Sequence, residues 1–247
     1  GGLCLGTIQE RFETPLVLGE TYKINWNGTV YECVATTAEG ISVPHCFTTR
    51  LGGVSQGHLA SLNIGVHRGD DPKNVEANFQ ILADMLGITN EDFVLTKQIH
   101  SDIVRVVDRG DRRGCFHRDY PECDALITND PGTALVVFTA DCTPILLWDS
   151  VTGAVGAVHA GWRGTAADIA GKTVAAMAKA FGSRPGDLQA AIGPNIGPCC
   201  FETDDDVPTA LRAALGEAAE PYMVRRGEKW HIDLKSINAH WLRSAGV

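Results

Sequence analysis

Apolar residues in this chain fall mostly into short runs closed by Gly-, Pro- and Asp-rich punctuation, and only a few stretches carry a helical period. Ala134 to Phe138 is an unbroken apolar run and predicts a buried strand. It gives way to polar Thr139, Asp141 and Cys142. Pro144 to Trp148 predicts a second strand, and Asp149-Ser150-Val151-Thr152-Gly153 has turn composition. Ala154 to Val158 predicts a third strand that ends on His159, and Leu188 to Ile192 a fourth. Tyr22 to Trp26 and Thr29 to Val34 alternate around Asn27-Gly28, a hairpin signature. The same Asn27 opens a glycosylation sequon, but the turn is the better physical reading.

Phe93 to His100 reads as a strand, with Val94, Thr96, Gln98 and His100 on one face by period two. Ile103 to Val107 reads as its hairpin partner or continuation. Val75, Phe79, Leu82 and Leu86 form a helical stripe. Asp70-Asp71-Pro72 supplies the cap and first position of that helix, and Gly87 its end. Thr165 to Phe181 predicts one helix with Ile169, Thr173, Met177 and Phe181 along one side, and Thr165 and Asp168 at capping-box-like spacing. The last fifty residues read as helix, a strand at Lys229 to Leu234, and a helix still running at Val247. Residues 46–69 lack periodicity and predict a long loop of the kind that carries function. Residues 109–120 predict an exposed loop. The sum is an α+β chain with a strand-rich extension over 1–44 and one larger domain over 45–247, which the family resemblance given below implies is catalytic.

Composition narrows the function classes. The formal charge is 21 − 30 = −9 and the pI is near 5.3. That balance argues against a general nucleic-acid or anionic-membrane surface, though not against a local pocket for one phosphate. No apolar run approaches the roughly 20 residues of a membrane helix. Eight cysteines in 247 residues are too sparse for a disulfide scaffold, so a reducing, cytoplasmic setting is expected.

The chemistry gathers where strands end. Cys142 and His159 close two neighbouring predicted strands, and His100 closes another. Together they make a Cys-His-His set that Zn2+ accepts, with a fourth position left for water. Spacing alone leaves open the plainer reading of a buried cysteine beside two strand-end histidines. Asp141 adjoins Cys142 and is a candidate for moving protons, or for tying down a strand end. Arg163, between Gly161 and Gly164 at a predicted helix start, suits an anion or a loop salt bridge. Arg50 and Asn63 in the long loop suit a ribose or phosphate, or turn stabilisation. Strand alternation lets Gln98, and not Lys97, face with His100. Cys199-Cys200 reads as a pair of small apolar turn residues. His45, His58, His67, His117, His231 and His240 carry no assigned role.

The segments TTRLGGVSQGHLASLNIGVHRGDDPKNVEANF, KQIHSD, ECDALIT, TADCTPILL, AVHAGWRGT and AAIGPNIGPCCFE resemble the laccase-domain family, in order and across about residues 45–242. Its members are also called YfiH-type or polyphenol-oxidase proteins, and purine nucleoside phosphorylases. The resemblance implies an α/β/β/α sandwich related to a cysteine-hydrolase-like group. It implies a zinc centre on His100, Cys142 and His159. It also implies a cytoplasmic enzyme, monomer or homodimer, that phosphorolyses adenosine, inosine, guanosine and methylthioadenosine and deaminates adenosine. On this reading Asp141 and Cys142 are catalytic, and Arg50, Asn63, Gln98 and Arg163 hold nucleoside or phosphate. The chain departs from the family pattern at His58-Leu59, where Pro-Tyr is usual, and at Asn78-Phe79, where Asn-Arg is usual. Members usually also continue past the position of Val247 into a Cys-rich segment and a basic motif.

Three alternatives remain. One is phenol oxidation with Cu2+, for which eight scattered histidines are a poor supply. Another is a cysteine hydrolase with Cys142 as nucleophile and His159 as base. The third is a metal-binding module without catalysis.

Overall fold

The computed structural model describes residues 16–17, 21–26, 29–38, 40–116 and 119–247. The alternating lead-in forms β1 (Leu16–Val17), β2 (Thr21–Trp26) and β3 (Thr29–Ala38). β2 and β3 run antiparallel with Trp26 opposite Thr29, which is hairpin register. Asn27, Gly28 and His117 lie outside the described residues. β3 also pairs with β4 (Phe47–Thr48), which ties the lead-in to the start of the long loop.

A polar network sets the path of that loop. The Ser55 hydroxyl donates to Asp70, and Asn78 of the following helix donates to Ser55 Oγ and to the Asn63 carbonyl. Helix α1 (Pro72–Leu86) starts and stops as its sequence dictates: Asp71 accepts from the Lys73 N–H, and Gly87 closes the helix at φ 69°. Val75, Phe79 and Leu82 are buried. Phe79 meets the Phe93 ring edge-on, so the departure from the family's Arg is a core aromatic.

Strand β5 (Phe93–Leu95) is shorter than expected. Beyond Thr96 the chain turns aside, His100 sits at φ 59°, and the N–H groups of Ile99, His100 and Ser101 go to the Asp124 side chain instead of to a ladder. Val104–Val106, strand β6, is no hairpin partner of β5. It joins β7 (Ala125–Thr128) in parallel, in a different sheet. β8 (Ala134–Val136) pairs in parallel with β5 and is half-buried, because its residues line a cleft.

β9 (Thr143–Asp149) and β10 (Val155–Ala160) form an antiparallel hairpin, with His159 opposite Pro144. The single helix expected over Thr165 to Phe181 is two, α2 (Trp162–Ala166) and α3 (Ile169–Phe181). Asp168 breaks them apart in the left-handed region at φ 56° and caps α3 through the Gly171 N–H. The Thr165 carbonyl takes the Trp241 indole N–H. After β11 (Leu188–Ile192) come β12 (Glu202–Thr203), α4 (Asp206–Leu215), β13 (Met223–Arg226), β14 (Lys229–Ile232) and α5 (Leu234–Ser244). The last strand stops at Ile232, and α5 closes before Val247 instead of running through it.

The central sheet has the order β11-β9-β10-β7-β6. Ala125 and Ile127 of β7 point into a core with Ile169, Val174 and Met177 of α3. Leu126 points the other way, into a core with β5 and the α1 stripe. The period of two on a strand buried on both faces thus builds the layers helix, β5–β8 pair, central sheet, helix. This is the α/β/β/α arrangement expected. The small β12-β14-β13 sheet packs with α4 as a side cluster.

Candidate metal centre and cleft

Antiparallel pairing carries Cys142 and His159 to the same end of the β9–β10 hairpin. The paired register ends with Ala160 opposite Thr143, and one step further sets Gly161 beside Cys142. The turned segment after β5 brings in His100. The ligand atoms of His100, Cys142 and His159 lie within 4.8 Å of one another. They are the one such group found among the described residues. The two imidazoles meet edge to face, with centroids 5.0 Å apart. Exposure is graded: His159 is buried, Cys142 half-buried and His100 exposed, so the group opens on one side.

Gly161 lets the three approach. A Cβ there would lie 2.6 Å from His100 Nδ1 and 3.3 Å from Cys142 Sγ. The site therefore fits a metal by donor type and by the space kept for it.

Sequence reasoning missed Asp124, although it sits in the ECDALIT segment. It is fully buried at the head of β7, and its backbone carbonyl accepts the His159 N–H. One carboxylate oxygen accepts from His159 Nδ1 at 2.8 Å and from the His100 N–H at 3.1 Å. The other accepts from the Ile99 and Ser101 N–H groups and the Ser101 hydroxyl. Burial would raise the Asp124 pKa, but the hydrogen bonds from His159 and Ser101 hold it at about 2. Burial would likewise lower His159, but its bonds to Asp124 and Cys142 push it up to about 9. With Nδ1 on Asp124, His159 has only Nε2 left to face Cys142. A signal was available: a buried-strand motif that starts with Asp has to give that carboxylate partners.

The group opens into a cleft of about 1120 Å³ whose lining includes Phe47, Arg50, His58, Asn63, Arg68, Gln98, Phe138 and Asp141. The sequence candidates divide within it. Asp141 is exposed, and its carboxylate has no partner among the described residues. Arg50 and Arg68 are exposed and likewise have no ion-pair partner among the described residues. Arg68 was not singled out from the sequence. Gln98 lines the cleft, but its amide is engaged: it donates to the Phe138 carbonyl at 2.8 Å and accepts the Phe138 N–H at 2.7 Å. Asn63 is engaged too, with the Gly65 backbone and Asp70. Arg163 is not among the lining residues; its guanidinium stacks over Trp162, 4.2 Å from the ring centroid. Cys200 is exposed in its turn and Cys199 is disulfide-bonded, which corrects the reading of both as small apolar residues. His45 is fixed by the Ala38 N–H and the Val43 carbonyl, and His231 bonds to the Pro198 carbonyl.

No helix among the described residues is long and apolar enough to cross a membrane.

Comparison with known proteins agrees with the motifs. A family described as multi-copper polyphenol oxidoreductase laccase matches residues 44–247. A purine nucleoside phosphorylase of Deinococcus radiodurans is 42% identical over 214 residues, 85% of this chain and 78% of the relative. The purine nucleoside phosphorylase YlmD of Geobacillus stearothermophilus is 41% identical over 81% of this chain and 74% of its own. The crystal structure of YlmD from Geobacillus stearothermophilus superposes with a TM-score of 0.79 at 33% identity, covering 94% of this chain and 85% of that one. YfiH of Bacillus licheniformis gives 0.77 at 34% identity, covering 87% and 78%. Motif order, fold and identity over four fifths of the chain lead to one conclusion: this chain belongs to the laccase-domain family of YfiH and YlmD.

Proposed function

We propose that this chain is a zinc-dependent purine nucleoside phosphorylase that also deaminates adenosine. The observation that carries the reading is the convergence of His100, Cys142 and His159 on a cleft that also exposes a carboxylate and two guanidinium groups with no ion-pair partner among the described residues. Two imidazoles and a thiolate suit zinc, and three protein ligands leave room for one more. When bound, such an ion acts as a Lewis acid and makes water available as a nucleophile near neutral pH. The protein's own residues do the rest. Asp141 is free to hold or deliver a proton at a purine nitrogen as the base leaves. Arg50 and Arg68 offer charge-assisted hydrogen bonds to phosphate. Gln98 shapes the wall by holding Phe138 instead of touching substrate.

Copper-based phenol oxidation is less well supported. A multi-copper site needs several ligand clusters, and His45 and His231 are engaged in framework hydrogen bonds. A second reading does have an observation behind it. Asp124, His159 and Cys142 form a relay of acid, imidazole and thiol, as in a cysteine hydrolase. Iodoacetamide separates the two, because it alkylates a free thiolate and spares a zinc-bound one.

The direct test is Asp141→Asn assayed with adenosine and inosine, with zinc content measured in parallel. Zinc is expected to stay near one per chain while turnover falls roughly 100-fold. Unchanged turnover with the metal retained would make Asp141 a structural carboxylate.

A further inference from the structure

We propose that Asp124 is the positioning residue that presets the metal site, fixing which nitrogen His159 presents and the backbone turn from which His100 reaches in. The inference rests on reading His100, Cys142 and His159 as metal ligands.

A buried carboxylate normally needs a cation or a full set of donors. Asp124 has the donors, and all of them belong to ligand-bearing segments. The N–H groups of Ile99, His100 and Ser101 point at it in succession, the Ser101 hydroxyl adds a bond at 2.6 Å, and His159 Nδ1 completes the set. Three successive N–H groups can converge on one anion only where the chain leaves strand geometry, which His100 does at φ 59°. A non-glycine residue in that region costs free energy unless its surroundings hold it there. The surroundings are Asp124 on one side and, on the other, Gly161 and Gly164 at the start of α2. A Cβ at Gly164 would lie 3.1 Å from the Ser101 carbonyl, and one at Gly161 would press on the His100 ring.

Neither ligand can shift without breaking a bond to the same carboxylate. His159 is bound to Asp124 twice, to its carboxylate through Nδ1 and to its backbone carbonyl through the His159 N–H. An Asp124→Asn change cannot reproduce this. One end of an amide is a donor, and donors already face both oxygens. Either the His159 contact or the Ser101 contact is lost.

The test uses the full-length protein, with Co2+ as the probe. Titration of wild type should give a thiolate-to-cobalt charge-transfer band in the near ultraviolet. Asp124→Asn should weaken Co2+ binding by about 10- to 100-fold and displace that band, the usual scale for losing a carboxylate behind a ligating histidine. Circular dichroism and Tm of each metal-free variant separate lost folding from lost positioning. A folded Asp124→Asn protein that binds within threefold of wild type, with the same band, would overturn the proposal. A wild-type protein that gives no such band would instead overturn the metal reading beneath it. Should the variant fail to fold, wild-type protein labelled with 15N and loaded with 113Cd decides. A proton on Nδ1 of His159 and cadmium coupling to Nε2 are expected, and the reverse assignment would refute the proposal.

Discussion

Gly161 lies against His100 so closely that a Cβ on the glycine would stand 2.6 Å from the imidazole Nδ1. The backbone of Gly161, at φ −72°, is open to any residue, so the demand is steric and not conformational. Gly161→Ala should therefore leave the sheet intact and push His100 out of place. We expect Tm to change little and metal affinity to fall about tenfold or more, since ligand geometry tolerates errors of only about 0.5 Å. Isothermal titration with zinc checks it, and wild-type affinity in the variant would mean the ring moves aside at no cost to the site.

Gln98 and Phe138 yield a prediction about stability. The two-stranded β5–β8 pair is short, and the Gln98 amide extends it by bonding both polar backbone groups of Phe138. Gln98→Ala leaves those groups without their side-chain partner at a half-buried position. A cost of about 1–3 kcal/mol is expected, read from urea unfolding, with a fall in nucleoside affinity as the Phe138 wall loosens. If nucleoside affinity dropped with no loss of stability, Gln98 would be a direct substrate contact after all.

These two cases show where the sequence was legible. Strand runs, the α1 caps and the hairpin register follow from apolar period and turn chemistry, which are local. So does the approach of Cys142 to His159, because a hairpin folds its own ends together. His100 reads from the sequence as a strand residue, since nothing local announces that its backbone N–H, with those of Ile99 and Ser101, answers to a carboxylate 24 residues away. The break at Asp168 was hidden for the same reason: Trp241, from the far end of the chain, takes the Thr165 carbonyl. Gln98 and Asn63 carried the right chemistry to line a cleft, yet long-range hydrogen bonds engage Gln98 and loop bonds engage Asn63. Asp124 was passed over because a lone acid before an apolar run looks like a strand boundary until its partners are known.

Asp149 gives a pH dependence. Burial would raise its pKa, but hydrogen bonds from Ser183, Thr152 and the Val151 backbone hold it at about 2, below the ordinary 3.8. A depressed carboxylate stabilises the fold above its unfolded value and stops doing so as pH falls through its folded one. The β9–β10 turn should thus gain about 2 kcal/mol above pH 4 and lose it towards pH 2. Asp149→Ala should lower Tm by about 4–8 °C at pH 7. The gap between variant and wild type should narrow as pH drops from 4 to 2. A gap independent of pH would assign the effect to packing.

If the chain has the function proposed above, its reaction type turns on which arginine meets phosphate. Phosphorolysis must hold an anion beside the ribose, whereas deamination needs only water and metal. From the sequence, Arg163 at a helix start was the natural choice. In the fold, α2 is a single turn of five residues and the Arg163 guanidinium lies over Trp162, outside the cleft lining. Arg50 and Arg68 line the cleft, and neither has a carboxylate partner among the described residues in a chain of net charge −9. Losing a hydrogen bond to a charged group costs about 1.5–3 kcal/mol, or roughly 10- to 100-fold. Arg50→Ala and Arg68→Ala should each reduce phosphorolysis on that scale and spare deamination, while Arg163→Ala should change both by less than about threefold. The measurement is ribose 1-phosphate and inosine formed from adenosine, with and without phosphate. A selective loss of phosphorolysis in Arg163→Ala alone would return the anion site to the turn after β10. Equal loss of both activities in the Arg50 and Arg68 variants would assign those side chains to the nucleoside instead.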